Sequence, residues 1–294
     1  MPTLLSTAAV QGFGLFTSKP ASVFILPGEP GRGIVFRRAD HSLAIPADVA
    51  HLAPQPPGVP ARNTTLAAAY HTPPITVLTT EHILSALVGL GVTDAIIELD
   101  GPEVPIMDGS AQPFVEAIRK AGIESDQAPQ RGPLTLTREI VIESGPARIV
   151  ARPRATPGAS YTYELDYGPG APIAAQSATW TWEGEGSGSA STYAREVAPA
   201  RTFCLEGEAQ QMRAMGLFKD LSPRDMLVIG AHGPIDNSYR FENEPARHKL
   251  LDLIGDLALI GRPIQADITA TRAGHAMNHA LAKAVVEAAS QPRP

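Results

Sequence analysis

His82, His248 and Asp252 are the residues whose types and spacing most readily do chemistry. Each histidine opens a segment with helical apolar spacing, and Asp252 follows His248 by one turn on the same stripe. If two such helices pack face to face, two imidazoles and one carboxylate make a ligand set for a catalytic zinc that keeps a fourth position open for water. Glu81 precedes His82 directly, so its carboxylate can reach that water without being a ligand. Zinc lowers the pKa of bound water to about 7, and a neighbouring carboxylate then takes its proton. Each residue also has an ordinary reading. A histidine at a helix start is commonly capped or solvated, Asp at i+4 can be a helix-surface pair, and Glu81 suits the first turn of a helix capped by Thr79 or Thr80.

A second group lies further along the chain. His275 follows Gly274 at the expected start of the last helix, where an imidazolium can protonate a leaving amine or stabilise an oxyanion. Asp256 is placed to keep it charged, because a nearby carboxylate raises a histidine pKa. Thr202, in "ARTF" (200–203) after an expected strand end, offers a hydroxyl to a developing oxyanion. A surface histidine and an ordinary strand threonine account for the same letters.

Rigid elements must position such groups. In "RHKLLDLIGD" (247–256) Leu250, Leu253, Ile254 and the following Leu257 recur at i, i+3, i+4, i+7, while His248, Asp252 and Asp256 repeat every four residues on the adjoining stripe. "TTEHILSALVGL" reads as a capped helix, 113–122 as another, and the stretch from about His275 to Ala289 as the last. "ASVFILP" and "GIVFRRA" read as paired strands, and "TDAIIELDG", "LTLTREIVIES", "ARIVARP", "SYTYELDY" and "PIQADITATRAG" as further strands. Each half therefore runs strands, helix, strand, helix. Setting His82 over His248 aligns "HILSALVG" with "HKLLDLIG", which points to duplication. The 28 prolines and 26 glycines gather in "PGEPGRG", "APQPPGVPARN", "ESDQAPQRGP" and "EGEGSGSAS", expected turns and linkers.

Composition excludes several classes. The 294 residues exceed one ordinary core and fit two domains, or one large one. A formal net charge of −6 with no Lys/Arg run argues against a nucleic-acid partner. Cys204 is the only cysteine, so neither a disulfide nor a cysteine-rich metal site is expected and a reducing compartment fits. No apolar run approaches ~18 residues and the first residues lack a signal-peptide pattern. The expectation is a soluble cytoplasmic protein.

Taken together, "TTEHILSALVGLGVTDAIIELDGPEVPIMDGSAQPFVEAI" (79–118), "ARTF" (200–203), "RFENEPARHKLLDLIGDLALIG" (240–261) and "GHAMNHALAKAV" (274–285) resemble the bacterial UDP-3-O-acyl-N-acetylglucosamine deacetylases, zinc amidases of lipid A synthesis. The resemblance implies an α+β fold of two similar domains, each a sheet layered with helices, the helix layers packed together around the site. The expected domains are 1–126 and 127–294. It also implies zinc on His82, His248 and Asp252, Glu81 as general base, Thr202 at the oxyanion, a cationic His275 partnered by Asp256, and an active-site Lys249. Phe203 and Lys249 are the expected substrate contacts. An inserted element near 204–230, with Met212, Met215, Leu217, Phe218 and Leu221, would line a passage for an acyl chain or simply form the insert's own core. Asp108 in "PIMDGSA" reads as a turn that caps the next helix.

Two departures stand out. The family usually carries Gly-x-Gly-Leu-His-(Ser/Thr)-Gly near its N-terminus, whereas this chain reads "GFGLFTSK", with Phe16 for the histidine and Ser18 for the glycine. The Gly-Gly-Ser turn usual after "ARTF" is replaced by "GLFKDLSPRD". The expected activity is release of acetate from a UDP-linked, 3-O-acylated glucosamine by a monomer. The alternatives are a sugar-nucleotide-binding homologue without turnover and a deacetylase of another N-acetylated sugar.

Overall fold

The computed structural model describes residues 2–54, 61–68, 70–125, 132–216, 222 and 226–290. Its first half contains β1 (Ala8–Phe13), β2 (Pro20–Pro27), β3 (Ile34–Arg38), β4 (Leu43–Pro46), α1 (Glu81–Gly89), β5 (Ala95–Leu99) and α2 (Gln112–Ala121). The second half contains β6 (Ile140–Ser144), β7 (Ala147–Pro153), β8 (Ala159–Leu165), β9 (Gln176–Trp182), α3 (Ser189–Glu196), α4 (Glu206–Ala214), α5 (Glu244–Leu257), β10 (Ile264–Thr271) and α6 (His275–Ser290).

The two principal sheets share one plan. The first is ordered β1-β2-β5-β3-β4, and the second β6-β7-β10-β8-β9. In each, the strand that follows the histidine helix enters the middle, antiparallel to one neighbour and parallel to the other. "ASVFILP" and "GIVFRRA", expected to pair, are therefore separated by β5: Ile25 opposes Ile97 from one side and Phe36 opposes it from the other. Consecutive apolar runs suggest a hairpin, but insertion of a later parallel strand cannot be read from either run alone.

Alternation in the central strands buries one face. In β10 Ile264, Ala266, Ile268 and Ala270 point inward, as do Ala95, Ile97 and Leu99 of β5. α1 packs along α5, α5 lies on β8 and β9, and α2 lies on β1. One continuous apolar core joins both halves. The helix pair is thus sandwiched, which is why eight of the nine residues of α1 are buried.

Two glycines that the repeat aligns allow close approaches between helices: Gly255 of α5 against α1, and Gly89 of α1 against α3. A Cβ on Gly255 would stand 2.0 Å from the carbonyl oxygen of Glu81, and one on Gly89 would stand 2.4 Å from the ring of Tyr193.

The insert is a small unit of its own. Strands Phe203–Leu205, Leu227–Gly230 and Gly233–Pro234 form a three-stranded sheet beside α4. Leu15, Ile106, Cys204, Met212, Met226 and Val228 make a second apolar cluster there, with Phe16 packed against it. Met212 is buried in that cluster while Met215 is 67% exposed; Leu217, Phe218 and Leu221 lie outside the described residues. Two local readings need correction. "ARTF" follows α3 rather than a strand and leads into one at Phe203, and the Gly/Ser stretch "EGEGSGSAS" ends inside α3, which starts at Ser189.

Candidate metal and acid–base site

His82 lies in the first turn of α1 and His248 in the second turn of α5, and their rings meet edge to face with centroids 5.0 Å apart. Asp252, one turn along α5, brings Oδ1 to 3.3 Å from His248 Nε2 and 3.6 Å from His82 Nε2. All three side chains are buried. Among the described residues Asp252 Oδ1 accepts no hydrogen bond, an expensive state for a buried carboxylate oxygen unless a cation sits there. His248 Nδ1 is 3.1 Å from the carbonyl oxygen of Ala200. That oxygen only accepts, so the proton sits on Nδ1 and Nε2 turns its lone pair inward, the outer contact typical of a ligating histidine. Burial pushes the His248 imidazole down to about 3 despite the pull of Asp252, leaving it neutral as a ligand must be. The three donors lie within 4.8 Å of one another and could hold a metal ion.

Around this group stand further ionisable side chains. Glu81 is buried, and burial raises its pKa above the ordinary carboxylate value, with the charges of His275 and His82 restraining the rise. His275 Nδ1 is 2.8 Å from Asp256 Oδ2, and its Nε2 is 3.9 Å from Asp252 Oδ2. Burial opposes charge on His275, but the Asp256 carboxylate outweighs it and lifts the imidazole to about 9. Burial likewise opposes ionisation of Asp256, and the charges and hydrogen bonds of His275 and His279 overcome it, holding the carboxyl well below its usual range. Lys249 Nζ donates to Asp252 Oδ2 at 2.8 Å and lies 5.9 Å from the centre of the Phe203 ring. Burial disfavours its charge, yet Asp252 raises it above the usual lysine range.

The "ARTF" segment borders the metal group. Ala200 holds His248, and Phe203 meets the His248 ring edge to face at 6.3 Å. Arg201 is buried and forks onto Glu244 at 2.8 and 3.1 Å. Thr202 is fixed by its backbone, donating to the Gly109 carbonyl at 2.7 Å and accepting from Leu227 at 3.1 Å. "PIMDGSA" thereby acquires a physical purpose. Asp108 accepts from Ser110 Oγ at 2.7 Å and from Arg240 at 2.8 Å, stapling the turn that carries Gly109 to the other half of the chain.

His82, His248, Lys249 and Asp252 come together here by contact, Asp256 and His275 pair beside them, Glu81 joins through Thr64, and Thr202 and Phe203 adjoin along "ARTF"; Met212 and Met215 lie in the insert instead. The helix-capping readings do not hold: Thr80 Oγ1 donates to the Thr64 carbonyl at 3.1 Å and Thr79 Oγ1 to Glu103 at 3.0 Å, so neither caps α1. The sequence reading missed Thr64, which donates its N–H to Glu81 Oε2 at 2.9 Å and its hydroxyl to Asp256. It also missed Asn278 and His279, which reach Asp256 and Thr64 from the first turns of α6. The doubled histidine of "GHAMNHAL" was a visible signal for His279; Thr64 carried none.

The altered "GFGLFTSK" keeps an ordered turn. The buried Glu103 carboxylate accepts from Phe16 N at 2.9 Å, Thr17 N at 2.8 Å and Thr17 Oγ1 at 2.6 Å. Ser18, standing where the family usually has glycine, has φ of 52°, the left-handed region that favours glycine.

Comparison with known sequences finds relatives along almost the whole chain. The sequence profile of the UDP-3-O-acyl N-acetylglycosamine deacetylases matches residues 2–287. The chain is 35% identical over 285 residues to a protein of Anaeromyxobacter dehalogenans named UDP-3-O-acyl-N-acetylglucosamine deacetylase, covering 97% of this chain and 86% of that one. Similar proteins of the same name from Thermosynechococcus vestitus, at 36% over 287 residues, and Synechocystis sp., at 34% over 288, are covered to 93% and 98% of their own lengths. With that match running almost end to end and through both helices of the donor group, the chain belongs to the UDP-3-O-acyl-N-acetylglucosamine deacetylase family.

Proposed function

We infer that the chain hydrolyses the N-acetyl group of a UDP-3-O-acyl-N-acetylglucosamine, releasing acetate and the free amine, the step its relatives are named for. The observation that carries this reading is the buried, unpartnered Asp252 Oδ1 between two imidazole nitrogens, with Glu81 and the charged His275 beside it. A zinc ion on His82, His248 and Asp252 would supply positive charge that acidifies water and polarises the amide carbonyl. Glu81 accepts the proton of the attacking water as the new C–O bond forms. Thr202, together with the positive charges of His275 and Lys249, stabilises the negative charge on the former carbonyl oxygen. His275 then gives the Nε2 proton to the departing nitrogen as the C–N bond breaks, so that the amine leaves neutral. Phe203 and Lys249 border the entry to the group and contact the substrate.

We also read the chain as two domains, 1–126 and 127–294. The shared strand order supports this; the connector 126–131 lies outside the described residues. The lone cysteine supports a cytoplasmic setting, no helix among the described residues is long and apolar enough to cross a membrane, and a donor group completed within one chain supports a monomer. Acetate release from the UDP-sugar by zinc-loaded protein tests the reading. Binding without release would favour a sugar-nucleotide-binding homologue, and release only from other acetylated sugars would move the substrate.

A further inference from the structure

Thr64 joins the start of α1 to α5 and α6. Its N–H donates to Glu81 Oε2 at 2.9 Å, and its carbonyl accepts from both the N–H and the hydroxyl of Thr80 at 3.1 Å, so its backbone is clamped to the start of α1. Its side chain leaves that half of the molecule and reaches α5 and α6, where the hydroxyl donates to Asp256 Oδ1 and lies 2.7 Å from His279 Nε2. The hydroxyl has a single proton. With that proton directed at the carboxylate, His279 must donate through Nε2–H. The order is therefore His279 to Thr64 to Asp256, while His275 Nδ1 and Asn278 Nδ2 donate to the other carboxylate oxygen, each at 2.8 Å. Thr64, Glu81, Asp256, His275, Asn278 and His279 are all buried, so water does not substitute for a missing partner without rearrangement.

We propose that Thr64 is a positioning residue that fixes the carboxylate of Glu81 and the Asp256–His275 pair relative to one another, with His279 setting the direction of the Thr64 hydroxyl proton. The inference rests on the reading of Glu81 and His275 as proton carriers in the deacetylation. One residue thereby registers the acceptor, held by the first half, against the donor, held by the second. A displacement of either by about 1 Å is enough to slow a positioned proton transfer.

Thr64→Val keeps size and the backbone N–H but deletes the hydroxyl, whereas Thr64→Ser retains it. In the zinc-loaded enzyme Thr64→Val should lower kcat by roughly 10- to 100-fold, the effect of losing one hydrogen bond to a charged group, with KM and metal content little changed. Thr64→Ser should restore kcat to within about threefold of the parent. His279→Leu should lower kcat in the same direction, and the double variant with Thr64→Val should be no slower than Thr64→Val alone, since both changes break one chain of bonds. In metal-free protein with 15N-labelled histidine, His279 should be the Nε2–H tautomer, a readout independent of turnover and of the tolerance of position 64. Parent-like kcat in Thr64→Val, failure of folded Thr64→Ser to rescue, additive losses in the double variant, or an Nδ1–H tautomer at His279 would each overturn the proposal. Glu81→Gln and His275→Ala measured alongside separate the two levels. Their loss of activity beside an unaffected Thr64→Val removes only the role of Thr64, and parent-like rates in them would overturn the functional reading as well.

Discussion

Gly255 lies beneath the carbonyl of Glu81 so closely that a methyl group there would stand 2.0 Å from its oxygen. The contact joins α5, which carries His248 and Asp252, to the first residue of α1, whose carboxylate is the proposed proton acceptor. Gly255→Ala must therefore separate the helices that hold the donor group. We expect a loss of about 1–3 kcal/mol of stability, the usual effect of overpacking, measurable by denaturant unfolding, together with weakened metal binding measured by competition with a chromogenic chelator. Parent-like stability and affinity would mean that the crossing tolerates more space than its geometry provides.

Metal removal is the plainest test of the donor group. Chelation should abolish acetate release and one equivalent of zinc should restore it, while His82→Ala and His248→Ala should lose affinity as well as rate because two donors hold zinc poorly. An active metal-free preparation would defeat the zinc assignment.

Glu81→Gln separates acceptor from ligand. The amide keeps shape but takes no proton, so zinc content should persist while kcat falls roughly 10²–10⁴-fold. Zinc loss in this variant, seen by metal analysis, would place Glu81 among the ligands instead.

The pH profile of kcat/KM carries a sign. Glu81 must be ionised, and burial raises its pKa, so the acidic limb should lie above the ordinary carboxylate range. His275 must be protonated and is lifted to about 9 by Asp256 against burial, so its contribution to the basic limb belongs near there. In Asp256→Asn burial acts unopposed by that charge, and the limb should move to lower pH. The stability linked to His275 follows the same sign: it is fully present below about 6.5, the unfolded value, and lost as pH rises through about 9. An unmoved limb in Asp256→Asn with zinc retained would show that the pair is structural.

Ser18 gives a prediction about the N-terminal turn. Its φ of 52° costs a non-glycine residue about 1–2 kcal/mol, so Ser18→Gly should stabilise the protein despite the added freedom of the unfolded chain, by up to about 1 kcal/mol. A lower melting temperature would mean that the serine side chain contributes more than its backbone conformation costs.

What could be read in the sequence follows from the range of the forces involved. The helix bearing His248, Asp252 and Asp256 was legible because apolar spacing and the polar stripe are both local properties of ten residues. The pairing of His82 with His248 was legible through the aligned "HILSALVG" and "HKLLDLIG", a repeat rather than a contact. Thr64 was not legible, because its side-chain partners are 192 and 215 residues away and the paired threonines of "RNTTL" leave no periodic trace. The helix start at Glu81 suggested Thr79 or Thr80 as a cap, yet tertiary acceptors claimed both hydroxyls. The sheet order failed for the same reason: β2 and β3 were visible as strands, but β5, which parts them, comes from 95–99, more than fifty residues later in the chain.

The shared plan of the two sheets has one more consequence. His82 and His248 align in the repeat, but the residue aligned with Asp252 is Ala86, and the residue aligned with Glu81 is Arg247. Had the aligned positions been alike, a cation between the helices would have met two interchangeable sets of donors, and an incoming amide would have had two equivalent approaches related by rotation. The difference at these two pairs of positions gives the site a front and a back, with the Glu81 carboxylate on one helix and the Asp252 carboxylate on the other. The site is thus directional because two helices alike in their apolar spacing differ in their charged positions.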